Sequence, residues 1–104
     1  MSKIDVIILC GGRGIRLRPL TNNTPKPLVK IKNKEILSYI IDHVDNFSIN
    51  KIYLATGYQS NKIKKYVLDK NLSNKITIVN SGINSDIIVR IQKCLKYIKN
   101  DFLV

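Results

Sequence analysis

Acidic side chains are scarce in this sequence, and they are absent from one long stretch of it. Seven acidic residues stand against eighteen lysines and arginines, and no acid lies between Asp5 and Glu35. Cysteine is also rare, since only Cys10 and Cys94 are present, and their separation fits no metal-ligand spacing. We interpret both cysteines as small buried hydrophobic side chains in a reducing compartment.

Long hydrophobic runs are missing as well. No segment is long enough to span a bilayer, and no signal peptide precedes the first predicted strand. The sequence also lacks internal repeats, low-complexity tracts and linkers. Its 104 residues and 44% hydrophobic content predict one globular domain or part of one. We therefore expect a cytoplasmic protein without a membrane partner.

The formal net charge of +11 at pH 7 raises the question of a nucleic-acid partner. The lysines are scattered along the polar sides of two predicted helices: Lys62, Lys64, Lys65 and Lys70 on one, and Lys93, Lys96 and Lys99 on the other. Such faces are usually solvated, and no aromatic platform is interleaved with the basic residues, as single-strand binders require. We expect no nucleic-acid partner, and we keep a basic nucleic-acid-binding module as an alternative interpretation.

One stretch near the start concentrates glycine and positive charge. The apolar run at residues 6–9 predicts a buried parallel strand, and glycines follow it at positions 11, 12 and 14. Glycine lets the chain turn sharply and lets an anion approach the main-chain N–H groups. Basic residues accompany the glycines: Arg13, Arg16, Arg18 and Lys26. The stretch therefore predicts a binding loop for a polyphosphate.

The spacing differs from that of two common phosphate loops. The dinucleotide fingerprint requires a third glycine where Leu17 stands, and the Gly-Lys-Ser/Thr end of the ATPase P-loop is missing. Prolines at positions 19, 25 and 27 also prevent a helix from starting directly after the glycines. We expect a long, extended loop that wraps its ligand, and a NAD-type Rossmann domain is the disfavoured alternative.

Strand and helix patterns alternate along the chain. Strands are predicted at 3–9, 51–55 and 75–79, with a short extended piece at 28–31 and a strand beginning at 102. Helices are predicted at 35–46, at 60–68 and from 85 to 98, with Asn33, Ser60 and Ser85 as caps. This order predicts an α/β fold, a Rossmann-like three-layer αβα arrangement with a mostly parallel sheet. Its ligand edge would collect the glycine loop and the turns at 56–58 and 80–86.

Two neighbouring motifs resemble those of a known family. The first is Gly11-Gly12-x-Gly14-x-Arg16-Leu17-x-Pro19-Leu20-Thr21, and the second is Pro25-Lys26-Pro27-Leu28-Val29. Together they resemble the signature of the sugar-1-phosphate nucleotidyltransferases, with Cys10 and Ile15 departing from the residues usual there. The resemblance extends over nearly the whole chain. Its later blocks, at 57–66 and 76–98, are similar to the glucose-1-phosphate cytidylyltransferase branch.

The resemblance implies transfer of a nucleotidyl group from a nucleoside triphosphate to a sugar 1-phosphate for cell-surface polysaccharide biosynthesis. It implies that Arg16 holds the leaving β- and γ-phosphates and that Lys26 contacts the α-phosphate or the sugar phosphate. The implied nucleotide-binding residues are Leu9, Gly11, Gly12, Arg13, Gly14, Ser81 and Gly82. A solvated surface role for Arg13 and Arg18, and a packing role for Tyr58, are open alternatives.

The resemblance also implies CTP as the favoured nucleotide, although Ile87, Ile88 and Val89 replace a Thr-Gly-Gly of that branch. In the family, an aspartate that binds Mg²⁺ follows the strand that residues 102–104 resemble. We therefore expect residues 1–104 to be the N-terminal nucleotide-binding part of a nucleotidyltransferase domain, unable to turn over alone. A non-catalytic nucleotide-binding domain is the alternative. The sugar and the oligomeric state, a homo-oligomer included, stay open.

Overall fold

The apolar run at residues 6–9 becomes the central strand of the fold. A computed structural model describes residues 3–83, 85–98 and 101–104. Asn84, in the predicted turn at 80–86, and Lys99, on a predicted basic face, lie outside the described residues. The elements are β1 (Ile4–Cys10), β2 (Lys30–Ile31), β3 (Lys34–Glu35), α1 (Ile36–Val44), β4 (Ile49–Thr56), α2 (Ser60–Asp69), β5 (Ile76–Asn80), α3 (Ile87–Leu95) and β6 (Phe102–Leu103).

Four of these strands form one parallel sheet in the order β5-β4-β1-β6. β1 pairs with β4 along its whole length, and it pairs with β6 through Asp5 and Val6. The chain order therefore reverses at β1, and the carboxyl edge beside it is the kind of switch point at which α/β sheets bind ligands. The predicted parallel sheet, including the strand that begins at Phe102, is confirmed.

Apolar side chains cover both faces of the sheet and hold a helical layer on each. The core between the sheet and the pair α1 and α2 contains Val6, Ile52, Leu54, Leu37 and Ile63. The core between the sheet and α3 contains Ile7, Tyr53, Ala55, Val79 and Cys94. Because the central strands are buried on both faces, they are continuously apolar instead of alternating. The predicted three-layer αβα arrangement is confirmed.

A small antiparallel hairpin precedes α1 where the sequence indicated a helix cap. β2 and β3 pair through Lys30 with Glu35 and through Ile31 with Lys34. Asn33, predicted to cap the helix, lies in the hairpin turn with a φ of 65°, and the helix is capped at Glu35. The prediction for Asn33 is therefore wrong, because an asparagine suits a turn with positive φ as well as it suits a cap.

The other two helices also begin at different caps from those predicted. Gln59, with a φ of 51°, precedes α2, so that Ser60 is already its first helical residue. Asp86 caps α3, and its carboxylate accepts a hydrogen bond from Val89 N at 2.9 Å, whereas Ser85 stands one residue earlier. α3 ends at 95 and not at 98. Within the described ranges, no helix has the length and apolar character needed to cross a membrane.

The loop after β1 is less extended than predicted. It contains two single-turn 3₁₀ helices, Ile15–Leu17 and Lys26–Leu28, closed by hydrogen bonds from Arg18 N to Ile15 O and from Val29 N to Lys26 O. The prolines exclude a regular α-helix, but a single 3₁₀ turn needs only one main-chain hydrogen bond and accommodates a proline at its start.

Candidate functional site

The carboxyl ends of three strands lie side by side at one edge of the sheet. Cys10 at the end of β1 is the partner of Thr56 at the end of β4, and Thr56 is the partner of Asn80 at the end of β5. Ser81 N donates to Thr56 O at 2.8 Å and ties the turn after β5 to β4. The glycine loop and the turns after β4 and β5 therefore meet at the edge where the ligand was expected.

The glycine loop is held closed by its own side chains and by the turn after β4. Thr21 is buried, and its Oγ1 donates to the Gly14 carbonyl at 2.6 Å. Tyr58 N donates to the Gly11 carbonyl at 3.2 Å, and the Tyr58 hydroxyl lies 2.8 Å from Thr21 O and 2.9 Å from Asn22 O. The Tyr58 side chain therefore fixes the loop, and a ligand contact by Tyr58 stays an open alternative.

Tyr58→Phe is expected to lower the free energy of unfolding by about 1 kcal/mol, because the ring stays and the hydroxyl's hydrogen bonds are lost. The loop should also open more often, so trypsin should cleave faster after Arg13 and Arg16. Denaturant unfolding and limited proteolysis measure the two effects. Tyr39→Phe is the matched control, since the Tyr39 hydroxyl is exposed and donates to Ile31 O, away from the loop. Equal cleavage rates in wild type and both variants would contradict the role of Tyr58.

A side chain would have a different structural effect at each of the three loop glycines. Gly14 has a φ of +63°, and a Cβ there would lie 2.7 Å from Thr21 Cγ2. A Cβ on Gly11 would collide with the guanidinium of Arg90. A Cβ on Gly12 would meet no atom of the described residues within 4 Å, so their packing does not require glycine there. Gly12 is therefore the position where open space beside the main chain is available to a ligand.

A basic cleft, here called the loop cleft, lies along the outer side of this loop. It has a volume of about 410 Å³, and its lining includes Leu9, Gly12, Arg13, Gly14, Arg16 and Lys26. The side chains of Arg13, Arg16 and Lys26 are exposed to solvent, and no acidic residue in the described part of the chain lines the cleft. Three cations that form no ion pair with a described carboxylate can attract a multiply charged anion. The structure thus brings both predicted catalytic residues into one cleft.

Cys10, which lines the loop cleft, is unreactive as a nucleophile near neutral pH. Cys10 is buried, and burial, with a smaller contribution from the Cys94 thiol, raises the pKa of the Cys10 thiol to about 12. The thiolate is the reactive form of cysteine, and it is not populated near neutral pH at such a pKa. The loop cleft therefore offers charge and main-chain donors, and Cys10 supplies no nucleophile.

A second cleft, here called the turn cleft, lies on the other side of the end of β1. It has a volume of about 570 Å³, and its lining includes Leu9, Gly11, Gly12, Ile87, Ile88 and Arg90. Ile87 and Ile88 are 60% and 67% exposed and give this cleft an apolar wall. Because Leu9 and Gly12 line both clefts, a single ligand that crosses Gly12 can occupy the two of them.

Arg90 also lies at this edge, although no motif in the sequence indicates a role for it. It is buried, and its guanidinium donates to Ser81 Oγ at 2.9 Å and to Gly82 O at 3.1 Å. It also donates to Thr56 O and Ile83 O, both at 3.3 Å. One side chain of α3 thus joins β4 to the turn after β5.

A signal for Arg90 is visible in the sequence pattern of α3. Arg90 follows Ile87 by three residues and precedes Ile91 and Cys94 by one and four, so it falls on the apolar face of the helix. A charged residue on such a face is rarely buried unless its donors are satisfied. Its partners lie at the end of β4 and in the turn after β5, and the helical pattern does not reveal them.

Ser81 and Gly82, predicted to contact the nucleotide, lie in the turn after β5 and outside the linings of both clefts. Ser81 is buried, and its Oγ donates to Thr56 O at 2.9 Å while it accepts from Arg90. Gly82 N donates to the Asn80 side chain at 3.0 Å. A nucleotide contact by these two residues stays a prediction.

The acidic residues near this edge do not fit a divalent metal site. Among the residues that the structure describes, no three His, Cys, Asp or Glu side chains form a cluster that could hold a metal ion. Asp86 lines the turn cleft, and its carboxylate already caps α3. Asp5 is buried at the opposite end of β1 and accepts from Asn50 Nδ2 at 2.9 Å. Mg²⁺ prefers carboxylate and phosphate oxygens, and the described residues supply no such pair.

Comparison with known protein families gives a match over almost the whole chain. The nucleotidyl transferase family matches residues 5–102. A curated relative, the bifunctional protein GlmU of Methanococcus maripaludis, is 40% identical over 101 residues, which are 97% of this chain and 24% of the relative. The chain therefore spans about a quarter of the length of this relative.

Two further relatives cover the chain as completely. The D-glycero-alpha-D-manno-heptose 1-phosphate guanylyltransferase of Campylobacter jejuni is 33% identical over 103 residues, covering 97% of this chain and 46% of the relative. The solved structure of CTP:phosphocholine cytidylyltransferase from Streptococcus pneumoniae superposes with a TM-score of 0.78 at 25% identity. That superposition covers 99% of this chain and 44% of the solved one.

Proposed function

We propose that this chain, which belongs to the nucleotidyl transferase family, is the nucleotide-binding part of an enzyme that acts on sugar phosphates. The reaction is transfer of a nucleotidyl group from a nucleoside triphosphate to a sugar 1-phosphate. The observation that carries the proposal is the loop cleft, where Arg13, Arg16 and Lys26 meet at the switch point without an acidic neighbour. A polyphosphate is the ligand class that such a cleft attracts most strongly.

The chemistry needs alignment and charge neutralisation, and it needs no protein nucleophile. A phosphate oxygen of the sugar 1-phosphate attacks the α-phosphorus, and the bond from that phosphorus to the oxygen bridging to the β-phosphate breaks. Pyrophosphate leaves with the electron pair. Arg16 neutralises the charge that develops on the leaving group, and Lys26 holds the α-phosphate or the incoming phosphate as a point charge.

The nucleoside half of the substrate is assigned to the turn cleft. Leu9 and Gly12 line this cleft as well as the loop cleft, so the triphosphate can extend from one to the other across Gly12. The exposed apolar wall of Ile87 and Ile88 suits the flat face of a base or a ribose, which burial removes from water. This placement gives each cleft one half of the ligand.

CTP is the nucleotide that we propose first. The turns at 57–58 and 81–82 resemble the cytidylyltransferase branch, and the solved relative from Streptococcus pneumoniae is a cytidylyltransferase. The relative from Campylobacter jejuni is a guanylyltransferase, and Ile87, Ile88 and Val89 depart from the cytidylyl pattern. A direct comparison of triphosphates is therefore part of the test.

The proposed cofactor is Mg²⁺. Enzymes of this family generally use a divalent metal ion. Since the described acidic residues do not fit such a site, we propose that the ligand aspartate lies beyond residue 104 and that residues 1–104 are the N-terminal part of the domain. Cells supply nucleoside triphosphates in the cytoplasm, and two free buried cysteines suit a reducing compartment, so we propose a cytoplasmic location.

The test combines binding and turnover. The 104-residue chain is titrated calorimetrically with CTP, UTP, dTTP, GTP and ATP, and it is then incubated with each triphosphate, Mg²⁺ and a panel of sugar 1-phosphates. We expect binding that is tightest for CTP, and no pyrophosphate release until the protein includes the residues that follow 104. Binding of no triphosphate would overturn the proposed function. Turnover by the 104-residue chain alone would overturn the placement of the metal ligand.

A separate binding experiment tests the alternative that the chain is a nucleic-acid-binding module. A mobility-shift assay with double-stranded and single-stranded DNA at increasing salt reports binding through the net positive charge. We expect weak binding that disappears at moderate salt and does not compete with CTP. DNA binding that persists at moderate salt and displaces CTP would favour the basic nucleic-acid-binding module.

A further inference from the structure

A buried arginine to which the proposed chemistry assigns no step lies beneath the turn cleft. Arg90 is 5% exposed, and no carboxylate within the described ranges pairs with its guanidinium. Its hydrogen-bond partners are four oxygen atoms: Thr56 O, Ser81 Oγ, Gly82 O and Ile83 O. A buried charge is costly unless its donors are satisfied, so the geometry of these acceptors and that of the guanidinium depend on each other.

The same guanidinium also touches the main chain of two glycines. A Cβ on Gly57, in the turn after β4, would lie 2.5 Å from Arg90 Nη1, and a Cβ on Gly11 would collide with Arg90. The planar guanidinium therefore lies against the glycine loop and the turn after β4 while it bonds to the turn after β5. All three turns of the carboxyl edge meet at this one side chain.

A second cation of α3 supports this arrangement. Lys93 lies three residues after Arg90, on the same face of α3, and its Nζ donates to Ser81 O at 3.1 Å. The carbonyls of three consecutive residues, 81 to 83, thus accept hydrogen bonds from side chains of one helix. The path of this turn is therefore set by α3.

We propose that Arg90 is a positioning residue that fixes the glycine loop against the turn after β5, so that the turn cleft is formed before the nucleoside arrives. The inference rests on the proposed function for the nature of the ligand. Arg90 lines the turn cleft, whereas Arg13, Arg16 and Lys26 line the loop cleft. The two halves of the nucleotide consequently depend on different basic residues.

This separation gives a readout that a general loss of structure would not produce. Arg90→Met removes the hydrogen-bond donors and keeps much of the side-chain volume. Arg90→Lys keeps the positive charge and loses the planar guanidinium. Lys96→Met is the control, because it removes an exposed cation from the same helix region. Each protein is checked for folding by circular dichroism. Calorimetry then measures the affinity for CTP and for inorganic tripolyphosphate at one salt concentration.

Both Arg90 variants are expected to weaken CTP binding by about tenfold or more, because several hydrogen bonds to a charged donor are lost. Tripolyphosphate binding should stay as in the wild type, and Lys96→Met should change neither affinity. Equal losses for CTP and tripolyphosphate would overturn the proposal, since Arg90 would then act through the whole fold or through its charge. Full CTP affinity in Arg90→Lys would overturn it too, since the planar guanidinium would be unnecessary.

A ligand-free measurement keeps this proposal separate from the proposed function. The amide resonances of Gly11, Gly57 and Gly82 report the three turns in a nitrogen-15 correlation spectrum. In Arg90→Lys these resonances should shift, while the amides of Val6 and Ile52, far from the carboxyl ends of β1 and β4, stay in place. Lys96→Met should leave all of them unchanged. Unshifted glycine resonances would overturn the positioning role. If wild type binds no triphosphate and the glycines still shift, the proposed function fails and the positioning of the turns stands.

Discussion

Arg16→Ala is expected to lower turnover by about a hundredfold in the enzyme that carries this chain, because the charge that leaves with pyrophosphate loses its counter-charge. The side chain of Arg16 is exposed in the loop cleft and has no hydrogen-bond partner assigned within the described ranges. Its removal should therefore leave the free energy of unfolding within about 0.5 kcal/mol of the wild type. Pyrophosphate release at saturating triphosphate measures the first effect, and denaturant unfolding measures the second.

Arg18→Ala is the matched control for this prediction. Arg18 is an exposed arginine in the same loop, two residues further on, and it does not line the loop cleft. We expect Arg18→Ala to keep most of the turnover, so that the comparison separates a positioned charge from net positive charge. Equal losses in the two variants would show that only net charge matters. Turnover near the wild-type rate in Arg16→Ala would remove Arg16 from the chemistry.

Much of the fold follows from local patterns that tertiary packing only reinforces. The apolar face of α1, repeated at Leu37 and Ile41, predicts a helix with one side on the sheet, and both residues are buried there. The continuous apolar run in β1 predicts a strand covered on both faces, and cores on both faces contain it. Periodicity of this kind survives folding because the same side chains that create it form the core.

The start of α1 could not be predicted, because a hairpin competes with the helix cap at Asn33 and strand pairing decides between them. Lys32 and Asn33 both have positive φ, which is the geometry of a tight hairpin turn. That turn usually carries glycine at its second position, and here asparagine stands there, so the pattern points equally to a helix cap. Pairing of Lys30 with Glu35 decides between the two structures.

The candidate site also contains residues that the sequence predicts and one that it does not. The motif identified the side chains of the loop cleft, because Arg16 and Lys26 are held by turns that their neighbours in sequence determine. The role of Arg90 was not visible, because its partners are 7 to 34 residues away in the chain and come together only when β4, β5 and α3 pack. A buried cation that joins several turns is a property of the assembled edge and is not encoded by any single motif.

The three loop glycines should respond to alanine in three different ways. Gly14→Ala is expected to lower the free energy of unfolding by about 2 kcal/mol, because alanine must adopt a positive φ beside Thr21. Gly11→Ala should cost about 3 kcal/mol or more, because its Cβ displaces the buried guanidinium of Arg90. Gly12→Ala should unfold like the wild type, because its Cβ points into open space. It should nevertheless bind CTP about tenfold more weakly, because that space is reserved for the nucleotide.

Denaturant unfolding and calorimetry with CTP, applied to all three variants, separate stability from binding. The double variant Gly11→Ala with Arg90→Lys is the internal control, since a shorter side chain leaves room for the new Cβ and should recover part of the lost stability without recovering CTP affinity. If Gly12→Ala is as unstable as Gly14→Ala, the fold itself requires glycine at position 12. If Gly12→Ala is stable and binds CTP like the wild type, the nucleotide does not cross the main chain at Gly12, and the two clefts are not halves of one site.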